Sequence, residues 1–262
     1  MTLEPTSGAA PGRMIGVADL DDIAIGGAIL GTGGGGDPYI GKLMAQQAIR
    51  KFGPVRMIEL DDLDDDALVV PCAMMGAPTV RIEKIPQGGE IMIAFQKLER
   101  FLGKKIGAIL CAEAGGLNST IPFVIGAMTG IPVIDGDGMG RAFPELQMVT
   151  FTLHGVSATP MVMVDDKGNS ILLECIDNRW TERLARVATV EMGCSALIAF
   201  YVLNGRQLRE TTVRLGAKSR ASPAPSTATS SASEKDRGGP NGTRTRDLRI
   251  KSPQLYRLSY QP

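Results

Sequence analysis

Apolar positions along the chain fall into short blocks whose spacing switches between the helical and the extended period, and the switches mark the elements. Residues 17–31 set Ile23, Ile25, Ala28, Ile29 and Leu30 on an apolar side, with Asp19, Asp21 and Asp22 in the first turn. Acidic side chains suit that end of a helix dipole, so a helix is predicted. A second helix is predicted over 38–52, opened by Pro38, whose missing N–H would have had no partner in a first turn. After Gly53-Pro54 the pattern turns extended: 55–60 alternates, 61–66 is an acidic turn, and 67–74 is a short apolar run. Ile91, Phe95, Leu98 and Leu102 then return to three- and four-residue spacing and predict a helix at 90–103.

The same alternation continues. A strand is predicted at 105–111, a helix at 118–130, a strand at 131–135, and a β-hairpin of 161–164 with 170–175 across Asp165-Asp166-Lys167-Gly168. Residues 178–201 read as one long amphipathic helix. Strands alternating with helices predict an α/β fold with a mixed, partly parallel sheet and flanking helices. No apolar stretch approaches the ~18 residues that span a bilayer, and the first residues lack the basic start and apolar run of a signal peptide. A cytoplasmic location follows as the expectation. The four cysteines, Cys72, Cys111, Cys175 and Cys194, show no CxxC spacing and lie in or beside apolar runs, the setting of free thiols in a core.

Composition divides the chain further. Past about residue 215 it is rich in Ser, Ala, Pro, Thr and Arg and poor in large apolar side chains, which cannot offset the entropy of ordering. The organisation expected is a flexible lead-in at 1–14, an α/β domain at 15–215 and a disordered basic tail at 216–262. The total of 28 basic and 28 acidic residues hides this division. Residues 1–213 hold 18 basic against 25 acidic, and 214–262 hold 10 against 3. The acidic domain speaks against nucleic-acid and membrane partners, which need a basic face. The tail reads as a basic arm or as a frameshift or read-through product, because NGTRTRDLRIKSPQLYRLSY resembles a reading frame running through a transfer-RNA gene.

Three motifs carry candidate chemistry. GTGGGGDPY (31–39) places Gly33, Gly34, Gly35, Gly36 and Asp37 between two predicted helices, where backbone N–H groups can hold an anion or a ring carbonyl. A structural turn is the alternative. No nucleotide cofactor is expected: the motif is neither GxGxxG after a strand nor GxxxxGK[ST], and Asp37 would repel a phosphate. EAGGLNST (113–120) stands at the carboxyl end of a predicted strand, where open α/β sheets place ligands. There Glu113 is a candidate base or metal ligand, and Asn118 orients a carbonyl or caps the next helix. VIDGDGMGRAFPELQM (133–148) sets Asp135 and Asp137 just beyond a strand, with Arg141 and Glu145 close behind. Such carboxylates bind a divalent metal or polar substrate, shift one another's pKa, or form a solvated edge. His154, the sole histidine, lies beside this motif, and Glu191 reads as a buried acid.

Taken together and in this order, GTGGGGDPY, EAGGLN, DGDGMGRAFPELQM and DNRWTERLARVATVEMG resemble the N-terminal domain of the S-methyl thiohydantoin desulfurase family, over about 15–215. The resemblance implies a second, largely β domain that this chain lacks, so the fold is expected to be truncated before it. It implies hydrolytic replacement of the sulfur of a thiohydantoin-type ring by water, giving a hydantoin, with metal assistance and zinc as the first candidate. Glu113, Asp135, Asp137 and Glu145 would then be catalytic. Gly33–Gly36, Asp37, Asn118 and Arg141 would bind substrate, and Glu113, Asp137 and His154 would be metal ligands. Two rival readings stand beside it: a non-catalytic partner of a hydantoinase or oxoprolinase, and an inactive fragment. Exposed apolar surface on the helix predicted at 178–201 would mark the fragment.

Overall fold

The computed structural model describes residues 12–77, 79–80, 84 and 89–213. All of them fall within one unit, 1–221; the other unit, 222–262, holds none, so the predicted tail lies outside the described residues, as does most of the lead-in. In chain order the elements are β1 (Arg13–Ile15), α1 (Asp19–Gly31), α2 (Pro38–Phe52), β2 (Val55–Ile58), β3 (Leu68–Gly76), α3 (Gly89–Leu102), β4 (Ala108–Cys111) and α4 (Ile121–Thr129). They continue as β5 (Val133–Asp137), α5 (Thr150–Leu153), β6 (Met161–Val164), β7 (Ser170–Leu173), α6 (Asn178–Glu191), β8 (Ser195–Ala199), β9 (Leu203–Asn204) and α7 (Gly205–Thr211).

Strands joined through a helix lie parallel, and β3-α3-β4-α4-β5 is such a run. The sheet has the order β1-β2-β5-β4-β3-β8-β6-β7, with β9 pairing the start of β3. Its middle, β2, β5, β4 and β3, is parallel; β1 at one edge and β8, β6 and β7 at the other run antiparallel. This is the mixed, partly parallel α/β sheet that the pattern predicted. Both faces are covered. One core gathers Ile91, Phe95 and Leu98 of α3 and Ile121 and Ile125 of α4 against Val70, Ile109 and Val133. The other gathers Phe151, Ala185 and Leu208 against Val69, Leu110 and Ile134. Among the described residues no helix is long and apolar enough to cross a membrane.

Four expectations need correction. The helix predicted at 178–201 ends at Glu191, and β8 follows as a strand between β3 and β6. Gly193 and Cys194, both at positive φ, turn the chain there. Ser195–Ala199 is buried throughout, and a short apolar run of that kind cannot be told from a buried helix segment by periodicity. Glu191 is correspondingly exposed, not a buried acid. In α1 the buried face is Leu20, Ile23, Ala24, Gly27 and Gly31, whereas Ile25 and Ile29 stand exposed. Small residues win that face because α1 lies directly on the turn at Gly116–Ser119, where a Cβ on Gly27 would overlap the Ser119 hydroxyl. Finally, the predicted helix at 118–130 divides into a 3₁₀ turn, Gly116–Ser119, and α4, while β5 runs two residues past the expected 135. Asp135 and Asp137 are therefore strand residues, not loop residues.

Candidate functional site

The carboxyl ends of β4 and β5 and the turn between α1 and α2 come together, so all three motifs meet at one edge of the sheet. Gly34, Gly35 and Gly36 lie against Gly115 and Gly116. The Gly36 carbonyl accepts from Leu117 N–H and the Gly35 carbonyl from Asn118 N–H, both at 3.3 Å. A Cβ on Gly35 would overlap the Gly115 carbonyl, and one on Gly116 the Gly36 carbonyl. The glycines are thus required by backbone lying on backbone. Gly33 differs: it projects where nothing stands within 4 Å of a Cβ. Asp37 caps α2, its carboxylate accepting from Tyr39 N–H at 2.8 Å.

The acidic residues organise the same edge from inside. Asp137 is fully buried; its Oδ2 accepts from Ala114 N–H at 2.5 Å and its Oδ1 from Gly140 N–H at 2.8 Å and Met139 N–H at 3.3 Å. Charge-assisted bonds of this kind fix loop positions strongly. Glu113, also buried, accepts from Phe143 N–H at 3.0 Å through Oε2 and from the Asn118 amide through Oε1. Asn118 does not cap a helix. Its Oδ1 accepts from Met74 N–H at 2.8 Å and its Nδ2 donates to Met74 O at 3.3 Å, so it extends the edge of β3 as a strand residue would. Asp135 is buried on the same face of β5 as Asp137, two residues along the strand.

Beneath these loops Cys72 and Cys111 are register partners on β3 and β4, and both are buried. Cys111 Sγ donates to the Glu113 carbonyl at 2.8 Å. Burial pushes the Cys72 thiol well above its ordinary value, and the neighbouring Cys111 adds to the effect. A thiol held protonated is a poor nucleophile, which leaves Cys72 a core residue. Cys175 and Cys194 are half-buried rather than core.

Solvent reaches a different set. Arg141, Glu145 and His154 are exposed; Arg141 Nε donates to the Ala142 carbonyl at 3.3 Å, and Glu145 Oε2 accepts from Gln147 at 2.5 Å. Among the described residues no group of three or more His, Cys, Asp or Glu side chains is placed to hold a metal. Glu113 and Asp137 have oxygens engaged by amides, and His154 stands out in solvent after α5.

The pattern reading passed over the chain that leaves β3. A small cleft beside the end of that strand is lined by Met74, Lys84, Glu90, Val164, Asp166 and Ser195, and Lys84 pairs with Asp166 at 3.1 Å. The available signal was the one used at Glu113: a strand ending in a polar, glycine-bearing stretch, here APTVRIEKIPQGGE, before a helix.

No curated protein matches the chain. Among solved structures, the X-ray structure of a protein from Chromobacterium violaceum superposes with a TM-score of 0.67 at 26% sequence identity, covering 79% of this chain and 59% of that one. The chain therefore spans about three-fifths of that protein's length. The family described as S-Me-THD-like, N-terminal domain, matches residues 18–175, a stretch that contains all three loops of the edge just described. With the fold, the loops and the match in agreement, the chain belongs to the S-Me-THD-like N-terminal domain family.

Proposed function

We propose that the chain acts in hydrolytic desulfurisation of a thiohydantoin-type ring. The observation that carries the reading is the family match over 18–175, which takes in the glycine turn, the Glu113 loop and the Asp137 loop together. In the reaction, water adds to the ring carbon that bears sulfur. The C–O bond forms, the C–S bond breaks, and sulfur leaves protonated as hydrogen sulfide, or as methanethiol from an S-methylated ring. The ring becomes a hydantoin.

Burial supports the following division of roles. A general base must reach water and substrate. Glu145 is exposed at the rim and takes that role, while Asp137 and Glu113 are enclosed and satisfied by amides, so they position loops. Asn118 ties the Glu113 loop to β3 and acts the same way. Arg141 supplies a cation for a substrate carboxylate, and the Gly33 backbone N–H, on the open side of the turn, supplies a donor for a ring carbonyl, while the Gly34 N–H is taken by the Gly31 carbonyl at 2.8 Å. Asp135 receives no step, and none is routed through a metal.

Release of sulfide from a thiohydantoin, and of methanethiol from its S-methyl form, by the purified chain is the test. Glu145→Gln is expected to lower kcat about 10²-fold with KM little changed. Arg141→Ala is expected to raise KM instead. No release from either compound overturns the reading, and full turnover by Glu145→Gln removes that residue from it.

A further inference from the structure

The outer face of α6 is built the wrong way round for a helix whose partner is the sheet beneath it. Its buried residues are Thr181, Glu182, Ala185 and Thr189, small or polar. Their polar groups are satisfied at home: Thr181 Oγ1 donates to the Asp177 carbonyl at 2.9 Å, and Thr189 Oγ1 to the Ala185 carbonyl at 2.8 Å. Glu182 accepts from Leu146 N–H at 2.9 Å and from Arg186 Nε at 2.8 Å. The large apolar residues face outward: Trp180 is 43% exposed, Leu184 45%, Val187 65% and Val190 50%.

Spacings of four, three and three make these one stripe along the helix. Ile176, 87% exposed, extends it at the N-terminal end. Leu153, 85% exposed, stands beside that end, because Asn178 of α6 donates to Thr152 at 3.1 Å. Four large apolar side chains on one helix face, with two more exposed near its start, make the kind of patch that marks an interaction site rather than the single exposures normal on a monomer.

We propose that this face pairs two copies of the chain, α6 against α6, antiparallel about a two-fold axis. Charge selects the direction. The exposed Arg179 and Arg183 lie toward the N-terminal end of α6, and the exposed Glu191 lies at its C-terminal end. Antiparallel pairing sets each arginine end over the glutamate end of the second copy and opposes the helix dipoles; parallel pairing sets like over like. A contact about a two-fold axis closes on itself, giving a dimer and not a filament. The second copy is also the occupant always present at the chain's own concentration.

Trp180, the sole tryptophan, sits in the stripe and reports on it. Sedimentation equilibrium of the full chain is expected to show a monomer–dimer equilibrium in the micromolar range, with Trp180 emission moving to longer wavelength on dilution. Val187→Glu is expected to weaken dimerisation at least 100-fold with an unchanged far-UV circular dichroism spectrum. Ile25→Glu, on the exposed side of α1, leaves the equilibrium as it was. Arg179→Glu and Glu191→Arg each weaken the dimer several-fold, and the double variant restores it to within about threefold. The same exposed stripe is what the fragment reading expects of this helix, so a chain monomeric at 100 µM overturns the proposal and leaves the stripe to that reading; a dimer indifferent to Val187→Glu overturns it too. Single charge variants that are not rescued by the swap overturn the antiparallel arrangement.

Discussion

Helices α3 and α6 are both fourteen residues long and both strongly two-faced, yet they treat the sheet in opposite ways. α3 sets Ile91, Ala94, Phe95 and Leu98 into the core beside Glu90 and leaves Phe101 outside, 47% exposed. α6 sets Thr181, Ala185 and Thr189 inward and leaves Trp180, Leu184 and Val187 in solvent. The α6 side of the sheet can accept a lean helix because Phe151, Phe200 and Tyr201 already fill the space beneath it, with Tyr201 5.4 Å from Phe151 and 5.2 Å from Phe200 between ring centroids. Amphipathic periodicity therefore states that a face will be buried, not what buries it.

Three measurements sharpen this comparison. Leu98→Ala empties a fully buried site on α3 and is expected to cost about 2–5 kcal/mol in urea unfolding. A cost below 1 kcal/mol would deny α3 its role as the packed helix.

The second concerns the polar chemistry under α6. Burial raises the Tyr201 phenol to about 12, against an ordinary value of 10; the hydrogen bond with Thr152 at 2.5 Å opposes the shift and the Glu182 charge adds to it. Below pH 10 the phenol is neutral in both the folded and unfolded chain, so its contribution is whole. Between pH 10 and 12 only the unfolded chain ionises, and stability falls as pH rises, by about 1.4 kcal/mol per unit. Tyr201→Phe is expected to flatten that segment of the stability curve; an equally steep loss in the variant would assign it elsewhere.

The smallest effect is on α6 itself. Leu184→Ser, measured by urea unfolding at a concentration where the chain is monomeric, is expected to change stability by no more than about 0.5 kcal/mol. A loss as large as that of Leu98→Ala would mean that α6 is packed as α3 is.

Much of the fold was legible because local rules and tertiary packing agree. Pro38 opens α2, as its missing N–H requires. The hairpin of β6 and β7 forms across the turn expected of Asp-Asp-Lys-Gly, with Asp165 accepting from Asn169 N–H at 2.8 Å and Lys167 N–H at 3.0 Å. Where the reading failed, a contact distant in sequence decided the outcome. Ile25 and Ile29 lose the core of α1 to Gly27 and Gly31, because the turn at Gly116–Ser119 leaves no room for larger side chains. Ser195–Ala199 becomes a strand because an open position exists between β3 and β6, which no local spacing records.

The candidate site divides on the same line. Sequence picked out the three motifs and placed two of them at strand ends, since strand ends and glycine turns are local features; that the glycine turn between α1 and α2 joins them is a result of the fold. It could not distinguish a carboxylate that meets solvent from one that accepts backbone N–H groups. Glu145 and Asp137 look alike on paper, eight residues apart; one is exposed and the other holds Ala114, Met139 and Gly140.

By itself, then, the sequence determined most of the longer elements, their α/β alternation, the acidic character of residues 1–213 and the family motifs, because each depends on residues near one another in the chain. The tertiary structure decided which face of each helix is covered, which carboxylates are enclosed, and that the glycines of 34–36 serve contact with Gly115 and Gly116. Those outcomes depend on burial, and burial is set by chain segments that meet only when the sheet is assembled.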